Sequence, residues 1–461
     1  MRYLSTRGAT EPHAFSDVLL GGLAPDGGLF MPEMWPRIPE SEIKGYANMS
    51  YAEVALRVLE RFAGASVSQA DLKADIAAAY SAFDVSEVAP LTEIGPNLFL
   101  LELFHGPTLA FKDIAMRVLG QLFSRALRIE GRRATVLAAT SGDTGSSAIA
   151  ALGGLSHVEL FVLHPNGRVS EVQRRQMTTA DFENVHNIAL EGTFDDAQSI
   201  VKALFADSNF ARKAGLVAVN SINFVRIAAQ SVYYFTAAAK FSNAPVFVVP
   251  TGNFGDVFAG EAAMRMGLGC AGLVVATNAN DIMERALNAG VYAAGAARPT
   301  LSPSMDIQVA SNFERALFEA SGRDTQWLAQ AMAQFARDRR LALPPAVLTA
   351  LRARYRAFAA DDAAILAAIA RVHRETGRLV DPHTAVGIAS AAKIDGAGAP
   401  LVVLATAHPA KFPDAVARAT GVSAPLPPRL QALYDKPERY AVLPAEGRAI
   451  RGFIEARLAR P

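Results

Sequence analysis

Lys112 ends the turn Leu103-Phe104-His105-Gly106-Pro107-Thr108-Leu109-Ala110-Phe111-Lys112-Asp113 and opens a segment patterned as a helix. Ile114, Ala115, Val118, Leu119, Leu122, Phe123 and Ala126 recur at helical spacing beyond it. Asp113 suits the first turn of that helix, where negative charge is favoured. A lysine held among Phe104, Leu109 and Phe111 is partly desolvated, which lowers its pKa and makes its free amine available as a nucleophile. The plainer reading is a lysine whose stem packs while its head reaches water.

Two further segments change the weight of those readings. Thr135–Ala139 is a short apolar run, followed by Thr140-Ser141-Gly142-Asp143-Thr144-Gly145-Ser146-Ser147 and the helical stretch Ala148–Leu152. Backbone N–H groups and hydroxyls at such a helix start form an anion site. Val246-Phe247-Val248-Val249-Pro250 leads in the same way into Thr251-Gly252-Asn253-Phe254-Gly255-Asp256 and a helix from Val257 to Met266. Its glycines allow a backbone to approach a ligand closely. Either loop alone could be a tight strand-to-helix turn. Two anion-ready loops with a candidate Schiff-base lysine point to a phosphorylated aldehyde cofactor, pyridoxal phosphate.

More motifs follow in order. They are Tyr3-Leu4-Ser5-Thr6-Arg7-Gly8, Gly22 to Phe30, Asn220-Ser221-Ile222-Asn223-Phe224-Val225-Arg226, Asp381-Pro382-His383-Thr384-Ala385-Val386-Gly387 and Ala405-Thr406-Ala407-His408-Pro409-Ala410-Lys411-Phe412. With them the chain resembles the threonine synthases, pyridoxal-phosphate enzymes of the tryptophan-synthase-β-like fold. The resemblance implies an α/β fold of type II, built on parallel sheets. It also implies an N-terminal domain at 1–90, a catalytic region at 91–425 with two α/β subdomains, and a C-terminal appendage at 426–461. The implied reaction converts O-phospho-L-homoserine and water to L-threonine and phosphate.

Residue by residue, the resemblance implies that Lys112 carries the cofactor and, once displaced by substrate, moves protons as a free amine. Gly252, Asn253, Phe254, Gly255 and Asp256 would cradle the cofactor phosphate, and Thr406 would face the ring nitrogen. Asp143 falls beside the cofactor 3′-oxygen, where either the oxygen or the carboxyl must hold a proton. Ser141 and Thr144 would hold the substrate carboxylate. Asn220, Ser221 and Arg226 would face the substrate phosphate, the guanidinium fork matching its oxygens. His383 and Lys411 are further candidates for the substrate pocket, and for the histidine a structural role is an equal reading. Whether released phosphate acts as a base is left open. So is a rival lyase that releases a 2-oxo acid from the same substrate.

Composition adds boundaries. The 461 residues suffice for several domains and a sizeable core. A formal charge of +1 carries no footprint for nucleic acid. The single cysteine, Cys270, excludes an internal disulfide and fits a reducing compartment. No apolar run reaches the ~20 residues of a membrane helix, and Met1 to Thr10 lack a signal-peptide pattern. The expectation is a cytoplasmic enzyme, monomer or small homo-oligomer, without metal-ligand spacing; a monovalent cation at the cofactor phosphate stays open.

Secondary structure is legible in outline. Tyr51–Leu59 and Ala70–Phe83 have a helical apolar period, and the turn Gly95-Pro96-Asn97 follows a boundary at Pro90. Thr135–Ala139, Glu159–Leu163, Val185–Leu190, Val246–Val249, Leu273–Ala276 and Leu401–Leu404 read as strands. Their alternation with helices calls for a parallel sheet covered on both faces. Thr325 to Arg378, rich in Ala and Arg, reads as helices.

Overall fold

Ser50 accepts the N–H of Glu53 while the Glu53 carboxylate accepts the N–H of Ser50. This capping box starts the helix Tyr51–Ala63 where the apolar period begins. The next helix, Gln69–Tyr80, starts at the Ser68 cap and buries Leu72, Ile76 and Ala79. A small antiparallel ribbon of β1 (Tyr3–Ser5) and β2 (Phe30–Pro32) packs beside them, with the Tyr3 hydroxyl donating to Phe62 O at 2.8 Å. The structure, a computed structural model, describes residues 1–8, 11–394 and 398–459.

Beyond this region the chain builds two sheets. One contains β3 (Leu91–Gly95) and β4 (Leu98–Glu102), and the chain then crosses to β5 (Ala134–Ala139), β6 (Val158–Pro165), β7 (Val185–Glu191) and β8 (Leu216–Val217) of the other. It returns with β9 (Val246–Pro250) and β10 (Gly272–Thr277), and makes a separate ribbon of β11 (Val291–Ala293) and β12 (Arg340–Ala342). β13 (Tyr355–Ala359) and β14 (Leu401–Ala405) complete the first sheet, and β15 (Ala441–Pro444) joins the second.

The six-stranded order is β13-β10-β9-β14-β4-β3, parallel except for β3, which pairs antiparallel with β4. The five-stranded order, β15-β7-β6-β5-β8, is parallel throughout. β9 and β14 are buried almost throughout, as strands covered on both faces must be. Because β4, β14 and β9 are parallel neighbours, the segments that leave their carboxyl ends lie side by side. Ligands bind at that edge of such sheets. Those segments are the Lys112 turn, Thr406 and the Gly252 loop.

Two readings from sequence are changed here. Thr325 to Arg378 is not wholly helical: Tyr355–Ala359 is an edge strand in register with β10, and Arg340–Ala342 is a ribbon strand. Its alternation is visible, with Tyr355 and Ala357 buried and Arg356 exposed, but alanine and arginine favour helix until β10 offers a ladder. Instead of the one parallel sheet the alternation calls for, there are two. Residues 441–444 extend the second sheet beyond β7, and the helix Gly447–Leu458 buries Ile450 and Ile454 in that lobe's core.

Candidate active site

The Lys112 turn is stitched to the exit of β14. Leu103 N–H donates to Ala405 O at 2.9 Å, Phe111 N–H to Thr406 O at 2.8 Å, and His408 N–H to Leu109 O at 3.1 Å. Leu109 takes a left-handed backbone, φ 59°, to make this turn. Asp113 does more than favour the helix start. It accepts from Thr108 N–H and Thr108 Oγ1, both at 2.7 Å, and from Ser147 Oγ at 2.8 Å. Gly106 has to be glycine, since a Cβ there would lie 2.5 Å from the Asp113 side chain. Lys112 is the first residue of the helix Lys112–Glu130, with its Nζ 4.9 Å from the Phe111 ring centre. Burial holds its amine below the ordinary lysine value.

Thr140, which sequence reading did not single out, shapes the second loop: its Oγ1 accepts N–H bonds from Gly142 and Gly145, both at 2.9 Å. Gly142 sits at φ 135°, a conformation for glycine alone, and any Cβ would meet Gln173 at 2.6 Å. Asp143 accepts from Lys411 Nζ at 2.7 Å, Gln173 Nε2 at 2.8 Å and Ser304 Oγ at 3.2 Å. Lys112 Nζ stands 3.8 Å from its other oxygen. Burial would raise this carboxyl, but the charges of Lys411 and Lys112 outweigh it and hold the group well below the usual carboxylate range. Asp143 is therefore ionised. Ser141 and Thr144 are half-buried, and their hydroxyls make no hydrogen bond to the described residues.

The third loop ends in Phe254, φ 63°, before the helix Gly255–Met266. Phe258 N–H reaches Phe254 O at 3.1 Å, so the N–H groups of Gly255, Asp256 and Val257 have no backbone acceptor among the described residues. Such a first turn favours an anion. A Cβ on Gly252 would approach Ser304 O to 3.1 Å. Asn312 braces this loop, donating from its N–H and Nδ2 to Asn253 O at 3.0 and 3.1 Å, and from Nδ2 to Ser221 O at 3.1 Å. Fully buried Arg315 in turn holds the Asn312 amide and donates to Ile222 O at 2.7 Å.

The Asp256 side chain accepts the Tyr233 hydroxyl and, at 3.3 Å, that of Tyr234. Its Oδ2 is buried without a partner among the described residues. Burial raises this carboxyl to about 7, only partly opposed by the tyrosine hydrogen bonds. The native state thus keeps a proton that an unfolded chain loses near 3.8, so stability falls as pH rises between the two values. Relative to Asp256→Asn, the wild-type chain is expected to lose up to about 1.4 kcal/mol per pH unit from roughly pH 4 to pH 7. Urea unfolding of both proteins across that range measures it; parallel curves would show that Asp256 titrates normally.

Arg226 lies in the first turn of the helix Phe224–Ala238, capped by Asn223, whose Oδ1 accepts Val225 N–H and whose Nδ2 donates to Leu19 O. It is no surface arginine: it is 3% exposed, and its Nε and Nη1 are buried with no partner among the described residues. Burial pulls the guanidinium down to about 10. An unpaired buried cation is costly and calls for an anionic ligand. Ser221 is half-buried in the preceding turn. Asn220 is exposed, and its Oδ1 accepts Ile222 N–H, so its side chain folds onto its own turn.

Two further candidates are already engaged with the protein. Lys411 is fully buried, its Nζ shared between Asp143 and Thr108 O at 2.8 Å, so its charge is not open to substrate. His383 has Nδ1 2.9 Å from Asp381 and Nε2 accepting Ser304 N–H at 3.2 Å. Those bonds place its proton on Nδ1, and the ring braces the Ser304 turn. Thr406 holds the site through its backbone, accepting Phe111 N–H and donating to Thr384 Oγ1 at 3.2 Å. Asp381, which sequence reading did not single out, caps the helix Pro382–Ala391, and an aspartate just before a proline is the signal that marks such a cap. Gln173, Ser304 and Arg315 had no local signal, because the groups they serve are remote in sequence.

The site joins a desolvated lysine to two glycine loops, one of them opening a helix with free N–H groups. Family models agree with it: "Pyridoxal-phosphate dependent enzyme" matches residues 85–406, flanked by "Threonine synthase N terminus" at 2–80 and "Threonine synthase, C-terminal" at 384–454. The chain is a pyridoxal-phosphate-dependent enzyme of fold type II. A threonine synthase of Pseudomonas aeruginosa is 47% identical over 98% of each chain. The crystal structure of a pyridoxal-phosphate-bound threonine synthase from Brucella melitensis superposes with a TM-score of 0.97 at 46% identity, covering 100% of both chains. The yeast enzyme's structure superposes at 0.94 with 34% identity, covering 99% of each chain. Within its class, the chain belongs to the threonine synthases. Among the described residues no helix is long and apolar enough to cross a membrane.

Proposed function

We propose that this site converts O-phospho-L-homoserine and water to L-threonine and phosphate, as a cytoplasmic enzyme. The observation that carries the substrate choice is Arg226, a buried guanidinium near Lys112 whose Nε and Nη1 have no partner among the described residues. A dianionic phosphate on the substrate supplies what it lacks.

The residues present fit the cofactor. Lys112 would hold its aldehyde carbon, the Gly252–Asp256 loop its phosphate through the free N–H groups of the helix start, and Thr406 would face its ring nitrogen. Bound there, pyridoxal phosphate supplies an electron sink that acidifies the carbons next to the substrate's amino group. The rest falls to the chain. The Ser141 and Thr144 hydroxyls and the loop amides hold the substrate carboxylate, and Arg226 with Ser221 holds its phosphate. Displaced by substrate, the neutral Lys112 amine takes the Cα proton and gives it up again before taking a Cβ proton, so that phosphate leaves from Cγ. It returns one proton to Cγ and one to Cα, water adds its oxygen at Cβ as hydroxyl, and water's other proton balances the departing phosphate. A four-carbon stem lets one amine reach adjacent carbons. Burial lowers the pKa of that amine, which favours the unprotonated form that a base needs.

Incubating purified protein with O-phospho-L-homoserine is expected to release threonine and phosphate in equal amounts. Chromatographic identification of the organic product decides the matter. A 2-oxo acid with phosphate would mean that water is not added and would replace this reading with that of a lyase.

A further inference from the structure

Two lysines converge on one buried carboxylate. Lys411, from the turn Pro409–Lys411 after β14, reaches Asp143 Oδ1 at 2.7 Å, and Lys112, at the end of the β4 turn, stands 3.8 Å from Oδ2. Lys411 is wholly enclosed, and its other bond goes to the carbonyl of Thr108, inside the turn that presents Lys112. Gln173 and Ser304 supply neutral donors to the same carboxylate, and His383 faces it with its ring proton committed to Asp381. Around Lys112, Asp143 and Asp113 favour the ammonium, as does Asp256 once it ionises, while Lys411 and Arg226 oppose it.

Without Lys411, Lys112 would be the one lysine or arginine paired with Asp143 among the described residues. A buried lysine alone with a carboxylate stays protonated, and an ammonium has no lone pair to attack with. We propose that Lys411 is a positioning residue that neutralises Asp143, so that Lys112 is left without a full counter-ion and its amine is free to attack the cofactor aldehyde. In that step Nζ, its extra proton already lost to solvent, adds to the aldehyde carbon. A C=N bond forms, and the aldehyde oxygen leaves as water. This inference rests on Lys112 as the attachment point of the cofactor. Lys411 itself touches no reacting atom.

The test is the pH profile of recharging. Full-length protein is stripped of cofactor by amine exchange and mixed with pyridoxal phosphate between pH 6 and pH 10, and the visible absorbance is followed with time. For Lys411→Met the midpoint of the rate is expected to move about one to two pH units higher than in wild type, the scale of one opposite charge. Recharging at pH 7 would then be roughly 10- to 100-fold slower, converging on wild type at high pH. Asp143→Asn, with Lys411 left unbalanced, is expected to move the midpoint below wild type. The double variant Asp143→Asn/Lys411→Met should return it close to wild type. If Lys411→Met does not fold, wild type, Asp143→Asn and the double variant still order themselves in this way. Identical midpoints overturn the proposal. So does a slow Lys411→Met that neither high pH nor the second substitution repairs, which would make Lys411 a packing residue. A Lys112→Ala control that recharges like wild type would instead sink the attachment reading beneath it.

Discussion

Lys112→Ala is expected to abolish turnover and the visible absorbance of the purified protein while leaving it folded. The side chain is 13% exposed, and among the described residues its Nζ makes no bond closer than 3.8 Å to Asp143, so little core volume or hydrogen bonding is lost. The turn around it is held by others. Thr108 and Ser147 close on Asp113, and Phe111 is tied to Thr406. Alanine is also a better helix former than lysine at the start of Lys112–Glu130. Turnover should fall by at least on the order of 10²–10⁴ from the lost proton transfers alone, and further because the nucleophile is gone. Circular dichroism, the visible spectrum and borohydride reduction followed by peptide mass analysis check each part. A variant that still fixes cofactor covalently and keeps full activity would place the attachment elsewhere.

Arg226→Ala should separate substrate from cofactor. Cofactor content is expected to stay near wild type, because the cradle belongs to a different helix, Gly255–Met266. Affinity for O-phospho-L-homoserine should weaken by about 2–4 kcal/mol, roughly 30- to 700-fold in Kd, the scale for a lost buried charge contact. Binding of homoserine, which lacks the phosphate, should hardly change. The ligand-free protein should be no less stable, since the substitution removes a buried cation whose Nε and Nη1 bond nothing among the described residues. Arg315, equally buried, differs in this respect: its donors hold Asn312 and the carbonyls of Phe30 and Ile222. Equal losses for both ligands, or a destabilised apoprotein, would mark Arg226 as structural.

The strand that delivers Lys112 shows where legibility ended. Leu98–Glu102 is leucine-rich, a composition shared by strands and helices, and its identity comes from pairing with β14. Thr135–Ala139 and Val246–Pro250 were readable because buried parallel strands are continuous apolar runs and each leads into a glycine loop. Tyr355–Ala359 failed for the opposite reason: five residues at a sheet edge carry too short an alternation to outweigh an alanine-rich neighbourhood.

At the site, the candidate lysine and the two glycine loops were legible from local order, a glycine where a backbone must bend and a negative charge in a first turn, whereas Arg226 was implied by the family resemblance alone. Tertiary structure decided what those charges do. Lys411, His383 and Arg226 all read as polar residues in motifs. Folding pairs Lys411 with Asp143, ties both nitrogens of His383, and leaves Arg226 buried with two nitrogens unpaired among the described residues. Whether a charge is neutralised, tied or waiting for a ligand depends on groups brought from other strands and on the water they exclude, and neither can be read from its neighbours in the chain.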